Sequence, residues 1–123
     1  MGLQDKEIKK FLADKIKIVM GEGPVTTTLT SVVTSDTGST IVTEGYNDLR
    51  VFCTQGGTAT TWDVSIEVAD SANGANWFAK TTESGVGASS YFVVNEITDA
   101  CRVIAIGTGT NSTMTIKVQP YHK

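Results

Sequence analysis

The chain has 123 residues, a formal net charge of −3, 19% charged residues and 40% hydrophobic residues. This is the length of one ordinary domain, and the balance of apolar and charged residues excludes a polar disordered tail. The longest unbroken apolar runs, Tyr91 to Val94 and Val103 to Ile106, are far too short to span a bilayer, so we expect no membrane partner.

Charge is unevenly distributed along the chain. Residues 1–20 hold five of the eight lysines against three acidic residues, so the remainder of the chain is acidic. Because a phosphate backbone is gripped by clustered lysine and arginine, we expect no nucleic-acid partner for the main domain.

The first predicted element is an amphipathic helix over residues 5–19, with Asp5 as its N-cap. Gly21-Glu22-Gly23-Pro24 ends it, which divides the chain into an N-terminal arm, residues 1–23, and a second unit, residues 24–123. The alternation over residues 15–18 keeps a short strand open as an alternative for the second half of the segment. The apolar residues at helical spacing are Ile8, Phe11, Leu12, Ile16 and Val19.

From Val25 onward the chain has the composition of β-strands, with all 19 threonines lying after that point. Short apolar runs separated by turn residues predict an all-β fold, an antiparallel β-sandwich of about eight strands. The predicted strands lie near residues 25–34, 39–44, 49–54, 60–69, 76–82, 90–95, 101–106 and 112–119.

Alternation within these strands predicts which side chains face inward. Trp62, Val64, Ile66 and Val68 share one face of their strand, and Met114, Ile116 and Val118 share one face of the last strand. The glycine- and threonine-rich residues 107–111 predict a hairpin between the last two strands.

Two cysteines, Cys53 and Cys101, each fall on the apolar face of a predicted strand. A disulfide between them would close a long loop, and two buried free thiols are the favoured alternative because we expect no secretory signal. One histidine, His122, stands beside the C-terminus, and the carboxylates are scattered. The sequence therefore predicts no catalytic residues, no metal site and no cofactor, and we expect no enzyme.

Two aromatic residues are candidate platforms for a ligand. Trp77 follows a polar turn and Tyr91 begins an apolar run, and an exposed ring at either position would stack on a sugar or pack on a protein. A core position for Trp77 is the alternative.

The strands at residues 90–95 and 101–106 break the alternation, because they are apolar on both faces. Something must cover the outer face, and the amphipathic helix, a neighbouring subunit and closure into a barrel are the three possibilities. The candidate interface residues of these strands are Phe92, Val94, Ile104 and Ile106.

The motifs Asn73-Gly74-Ala75-Asn76-Trp77-Phe78 and Cys101-Arg102-Val103-Ile104-Ala105-Ile106-Gly107-Thr108-Gly109-Thr110 resemble those of small β-sandwich accessory proteins of tailed-bacteriophage virions. The likeness extends over residues 46–121 and ends near Tyr121, and the N-terminal helix lies outside it. The resemblance implies a decoration, fibre or neck component located in the virion and assembled in the host cytoplasm, without catalytic residues.

Together these patterns predict a non-enzymatic structural protein, such as a capsid decoration or head–tail accessory protein. We expect its partners to be capsid or tail proteins and further copies of itself in a homo-oligomer. The alternative function is a glycan- or receptor-binding module that uses Trp77 and Tyr91.

Overall fold

The computed structural model describes residues 21–33, 35–57, 61–87, 89–107 and 112–122. The helix predicted over residues 5–19, with its five apolar residues, lies outside the described residues, and the boundary predicted between residues 23 and 24 stays a prediction. Within the described ranges, no helix has the length and apolarity needed to cross a membrane.

The described residues form nine strands and no helix. The predicted all-β fold with antiparallel strands is confirmed. The strands are β1 (Thr26–Val32), β2 (Ser35–Thr37), β3 (Ile41–Val42), β4 (Asp48–Gly57), β5 (Trp62–Ala69), β6 (Trp77–Val86), β7 (Ser89–Asn95), β8 (Ala100–Gly107) and β9 (Ser112–Tyr121).

Two antiparallel sheets are present. The first sheet has the order β1-β9-β4-β7, and the second has the order β2-β8-β5-β6, with β3 also paired to β8. Because β2 and β3 pair with the same strand, they act as one strand interrupted at residues 38–40. The resulting eight-strand order is that of a jelly roll, in which the chain passes back and forth between two sheets.

The hairpin predicted between the last two strands is wrong. Strand β8 lies in the second sheet and β9 in the first, so the strands on either side of residues 107–111 do not pair as a hairpin. Glycine and threonine signal a change of direction there, but they do not specify which sheet receives the next strand. A tight turn does join β5 to β6, where Gly74 takes a φ of +67° and the Asn76 side chain donates to the carboxylate of Asp70.

The interior lies between the two sheets and is built from alternate residues of each strand. Trp62, Val64 and Ile66 face it from β5, as the alternation predicts, and are almost fully buried. The almost fully buried residues of β4, β8 and β9 include the predicted apolar faces that carry the two cysteines and Met114; they are Leu49, Val51, Cys53, Cys101, Val103, Ala105, Met114, Ile116 and Val118. These residues form one continuous apolar cluster, and burial of its area supplies the main driving force for folding.

One buried polar contact joins the two sheets across this interior. The indole N–H of Trp62 donates to Ser112 Oγ at 2.8 Å, and Gln55 Nε2 donates to the same oxygen at 2.8 Å. Gly107 makes room for the Trp62 ring, since a Cβ there would come within 2.8 Å of it. Trp62 belongs to the second sheet and Ser112 to the first, so this contact fixes how the sheets sit on each other.

Replacing Ser112 by alanine should destabilise the protein by about 1–3 kcal/mol, because it leaves the buried Trp62 N–H without an acceptor. Chemical denaturation followed by tryptophan fluorescence measures the change. Thr82→Ala is the control, because its hydroxyl bond to Ser65 is exposed, and it should change stability by less than about 0.5 kcal/mol. Equal losses in the two variants would contradict a special role for the buried contact.

Candidate interaction surfaces

The outer face of the second sheet carries two of the predicted interface residues. Ile104 is half-buried and Ile106 is 45% exposed, and the alternation of β8 directs both away from the interior. Their cross-strand neighbours on β5 are Ser65 and Asp63. We call Ile104 and Ile106 the isoleucine face, an apolar strip bordered by short polar side chains.

Next to the isoleucine face, Arg102 organises a charged and aromatic cluster. Its Nε donates to Glu67 Oε1 at 2.6 Å, and its guanidinium carbon lies 4.4 Å from the centroid of the Trp77 ring. Trp77 is half-buried, and a Cβ at Gly74 would come within 2.7 Å of its ring. The ring is therefore held against Arg102 and the turn before it.

Tyr91 lies on the other side of the molecule, on the outer face of the first sheet. It is 55% exposed, and its ring centroid lies 5.3 Å from that of Phe52 on the adjacent strand. Val93, 37% exposed, continues the same face. Because the outer faces of two packed sheets point in opposite directions, the structure does not bring Trp77 and Tyr91 together into one platform.

Two predicted interface residues of β7, Phe92 and Val94, do not face outward, so this part of the prediction is wrong. Val94 is 3% exposed and pairs with the buried Leu49, and Phe92 pairs with the buried Val51 and packs against the core. Directly opposite residues share a face, so β7 turns Phe92 and Val94 inward. Tyr91 and Val93 carry the outer apolar surface instead.

A second cation–aromatic contact lies at the far end of the first sheet. The Arg50 guanidinium carbon is 4.2 Å from the centroid of the Tyr121 ring, and Arg50 Nη1 donates to Glu22 Oε1 at 3.1 Å. The Glu22 carboxylate raises the pKa of Arg50, chiefly through this hydrogen bond. Residues 21–23 also pair with residues 120–122, so the N-terminal segment joins the sandwich beside this cluster.

Both cysteines are free and buried in the interior. Strands β4 and β8 begin at the same end of the sandwich. Cys53 lies five residues after the start of β4, and Cys101 lies one residue after the start of β8. At about 3.3 Å for each residue, the two cysteines are therefore about 13 Å apart along the strand direction. A disulfide needs Cα atoms within about 7 Å. Burial raises the pKa of Cys53 to about 11, and burial likewise raises that of Cys101 to about 11 although Thr43 Oγ1 lies 3.7 Å from its sulfur.

The ionisable groups do not assemble into a metal site within the described ranges. No group of three or more histidine, cysteine, aspartate or glutamate side chains converges there. His122 instead donates its backbone N–H to Gly21 at 2.7 Å, which ties down the end of β9. Exposed apolar side chains lie on the outer faces of both sheets, Ile106 on the second and Tyr91 and Val93 on the first.

The described residues thus define an antiparallel β-sandwich with apolar side chains on both outer faces. No protein-family model and no curated protein matches the chain. Among solved structures, the SPBc2 prophage-derived protein YomS is similar over 79% of this chain and 90% of its own, with 16% sequence identity and a TM-score of 0.56.

The PBSX exported protein XepA is similar over 81% of this chain, with 10% identity and a TM-score of 0.59, and the likeness spans 37% of XepA. A CBM4 structure reaches a TM-score of 0.49 at 10% identity, over 70% of this chain and 60% of its own, which is too weak to bear on function. Phage-derived proteins are therefore among the known proteins that share this fold.

We predict that both thiols react slowly with an aromatic disulfide reagent near neutral pH in the folded protein and rapidly after denaturation. Burial keeps them protonated and shielded, and the thiolate is the reactive form. Absorbance of the released thiol measures the rate. Rapid labelling of the native protein, or a mobility shift on reduction in denaturing gels, would contradict this arrangement.

The same burial makes stability depend on alkaline pH. Unfolded thiols ionise near pH 9.0, whereas the folded ones ionise near 11, so the folded state binds more protons between these values. The contribution of the buried thiols to the free energy of unfolding is fully present below pH 9.0 and is lost as the pH rises towards 11. A variant carrying Cys53→Ala and Cys101→Ala should lose less stability over that range.

Proposed function

We propose that this protein is a non-enzymatic structural component of a phage-type particle, where it attaches to a protein surface through the isoleucine face. One observation carries the proposal: an apolar strip lies on the outside of a central strand, where a sandwich in water favours polar residues. The fold it shares with phage-derived proteins supports the setting.

The energetics of the isoleucine face favour attachment. Burying an aliphatic side chain of this size is worth roughly 1.5–3 kcal/mol when it passes from full exposure to full burial. Ile106 keeps 45% of its surface in water and Ile104 is half-buried, so only part of that energy is still available at each position. The strip therefore serves as a central anchor, and neighbouring contacts must complete the interface.

The polar border of the strip suits a protein partner. Ser65 and Thr82 hydrogen-bond to each other at 2.9 Å, and Asp63 Oδ1 accepts the Gly85 N–H at 3.4 Å, so the side chains around the strip are held in place. A rigid polar rim around an apolar centre is the arrangement of protein–protein interfaces.

The N-terminal segment is the second part of the proposed attachment. Its apolar residues Ile8, Phe11, Leu12, Ile16 and Val19 would bind the particle, while its excess of lysines favours an acidic partner surface. Residues 21–23 anchor the C-terminal end of this arm to the sandwich beside β9. Attachment of this kind would place the protein in the virion, on capsid or tail proteins.

A protein partner is also favoured over a glycan. Trp77 is packed against Arg102 and Tyr91 lies on the opposite sheet, so the two rings do not form one shared platform for a sugar. We therefore place the attachment on the isoleucine face and not on the aromatic residues.

Ile106→Asp should remove the protein from particles without unfolding it, because a charge would be desolvated at the centre of the interface. The variant and the native protein are supplied in turn to a phage or prophage lacking its own copy of the gene, and purified particles are quantified by mass spectrometry. Val42→Asp, at a 61% exposed position on β3, is the matched control and should attach normally.

Phe11→Asp tests the arm separately in the full-length chain. We expect weakened attachment with an unchanged thermal unfolding midpoint, because the arm would act on the partner and not on the core. Particles that lack the native protein would refute the proposed function, and complete unfolding of Phe11→Asp would place the arm in the core.

A further inference from the structure

The edges of the two sheets differ in how well they are protected against pairing with another strand. An exposed edge presents unpaired N–H and C=O groups, and proteins block such edges with bulges, charges and short strands. Strand β1 has two register shifts, and Ser31 within it takes a φ of +48°. Strand β6 has two register shifts as well and carries Lys80 and Glu83.

The β2–β3 edge is blocked in a different way. Its two pieces contain three and two residues, and β2 carries the exposed Asp36. Neither piece is long enough to template another strand of ordinary length.

Strand β7 has none of these protections. Its seven residues pair with β4 from Ser89 to Asn95 without a register shift, and all seven are uncharged. Among the described residues, its backbone hydrogen bonds to other strands go to β4 alone, so the opposite side of β7 is a free edge. Two exposed apolar side chains, Tyr91 and Val93, flank that edge.

From this contrast we infer that β7 is the site of self-association, where it pairs antiparallel with β7 of a second copy. The two first sheets then become one continuous eight-stranded sheet. This inference holds whatever the protein attaches to, because it concerns a different strand from the isoleucine face.

A second copy is the occupant because the strand is complementary to itself. With the two-fold axis at Phe92, Tyr91 lies opposite Val93 of the second copy, and Ser90 lies opposite Val94. Aromatic and β-branched residues make favourable cross-strand pairs, and an uncharged strand places no like charges across the axis.

Both faces of the new pairing would gain from it. On the outer face, Tyr91 and Val93 lose exposed apolar surface. On the inner face, the partly buried Phe92 meets its counterpart and extends the core of each copy. A two-fold contact of this kind is closed, so it gives a dimer and not an open fibre.

Two charge variants of the full-length protein test the inference. One carries Tyr91→Lys and Val93→Lys, and the other carries Tyr91→Glu and Val93→Glu. Each places like charges opposite one another in the paired strands, so each should have half the native mass by light scattering. Mixing the two should restore the native mass, because lysine then faces glutamate.

The control is Val42→Lys, at an exposed position on β3, which should keep the native mass. Circular dichroism verifies that every variant is folded, since Val93 pairs with Arg50 and a lysine there adds local repulsion. A native protein that is a monomer at submillimolar concentration, or charge variants that keep the native mass, would overturn the inference.

Cross-linking provides an independent measure of the register. Tyr91→Cys and Val93→Cys are prepared as separate proteins, and the native Cys53 and Cys101 are buried and do not compete. Under mild oxidation, we expect a disulfide-linked dimer in the mixture of the two proteins and little in either alone. Equal cross-linking of the separate proteins, or none in the mixture, would refute the register.

Discussion

The strict alternation of inward and outward side chains is the constraint on which the rest of the structure depends. One side of each strand goes into a shared interior, where Leu49, Val64 and Ile116 are fully buried. Once that interior is closed, an apolar residue of opposite parity must lie outside, whatever its hydrophobicity. Ile106 and Tyr91 are exposed for this reason. The surfaces proposed for attachment and self-association are therefore consequences of strand register.

The sequence predicts the interior of this fold better than its exterior. Alternation located the inward residues of β4, β5, β8 and β9, because burial imposes a period of two on hydrophobicity. In β7 the four residues from Tyr91 to Val94 are all apolar, so hydrophobicity alone does not distinguish the two faces of the strand. The sequence therefore predicts Phe92 and Val94 on the outside, which is wrong. Pairing with β4 determines which face of β7 is inward, because Val94 lies opposite the buried Leu49.

The sheet to which a strand belongs is also set by long-range contacts. For this reason the local sequence predicts a hairpin between β8 and β9, although the two strands lie in different sheets. For the candidate sites, the outward position of Ile104 and Ile106 on β8 followed from the sequence, whereas their role in an interface stays a prediction. The contact between Arg102 and Trp77 did not, since it joins different strands.

The polar contacts have two roles: the buried ones stabilise the fold, and the surface ones fix the orientation of aromatic side chains. Trp62 and Ser112 act inside, where an unpaired donor would be costly, and they fix the relative position of the sheets. Arg102 and Arg50 act outside, where each places a guanidinium against an aromatic ring and a carboxylate. Exposed ion pairs contribute little to stability, so the effect of these arginines is mainly to hold Trp77 and Tyr121 in fixed orientations. The exposed apolar side chains of the described residues include Ile106 of the isoleucine face and Tyr91 and Val93 on the outer side of β7.

The two proposed surfaces are geometrically compatible. Antiparallel strands in one sheet are related by a two-fold axis perpendicular to that sheet, because directly opposite residues share a face. Pairing through β7 would therefore leave both second sheets on the same side of the joined first sheet. Their isoleucine faces would point in the same direction, away from the dimer contact. A dimer built this way presents two equivalent anchors to one partner surface, and two modest contacts made together bind much more tightly than either alone. Partly exposed isoleucines, which are weak anchors singly, would then suffice for the proposed attachment.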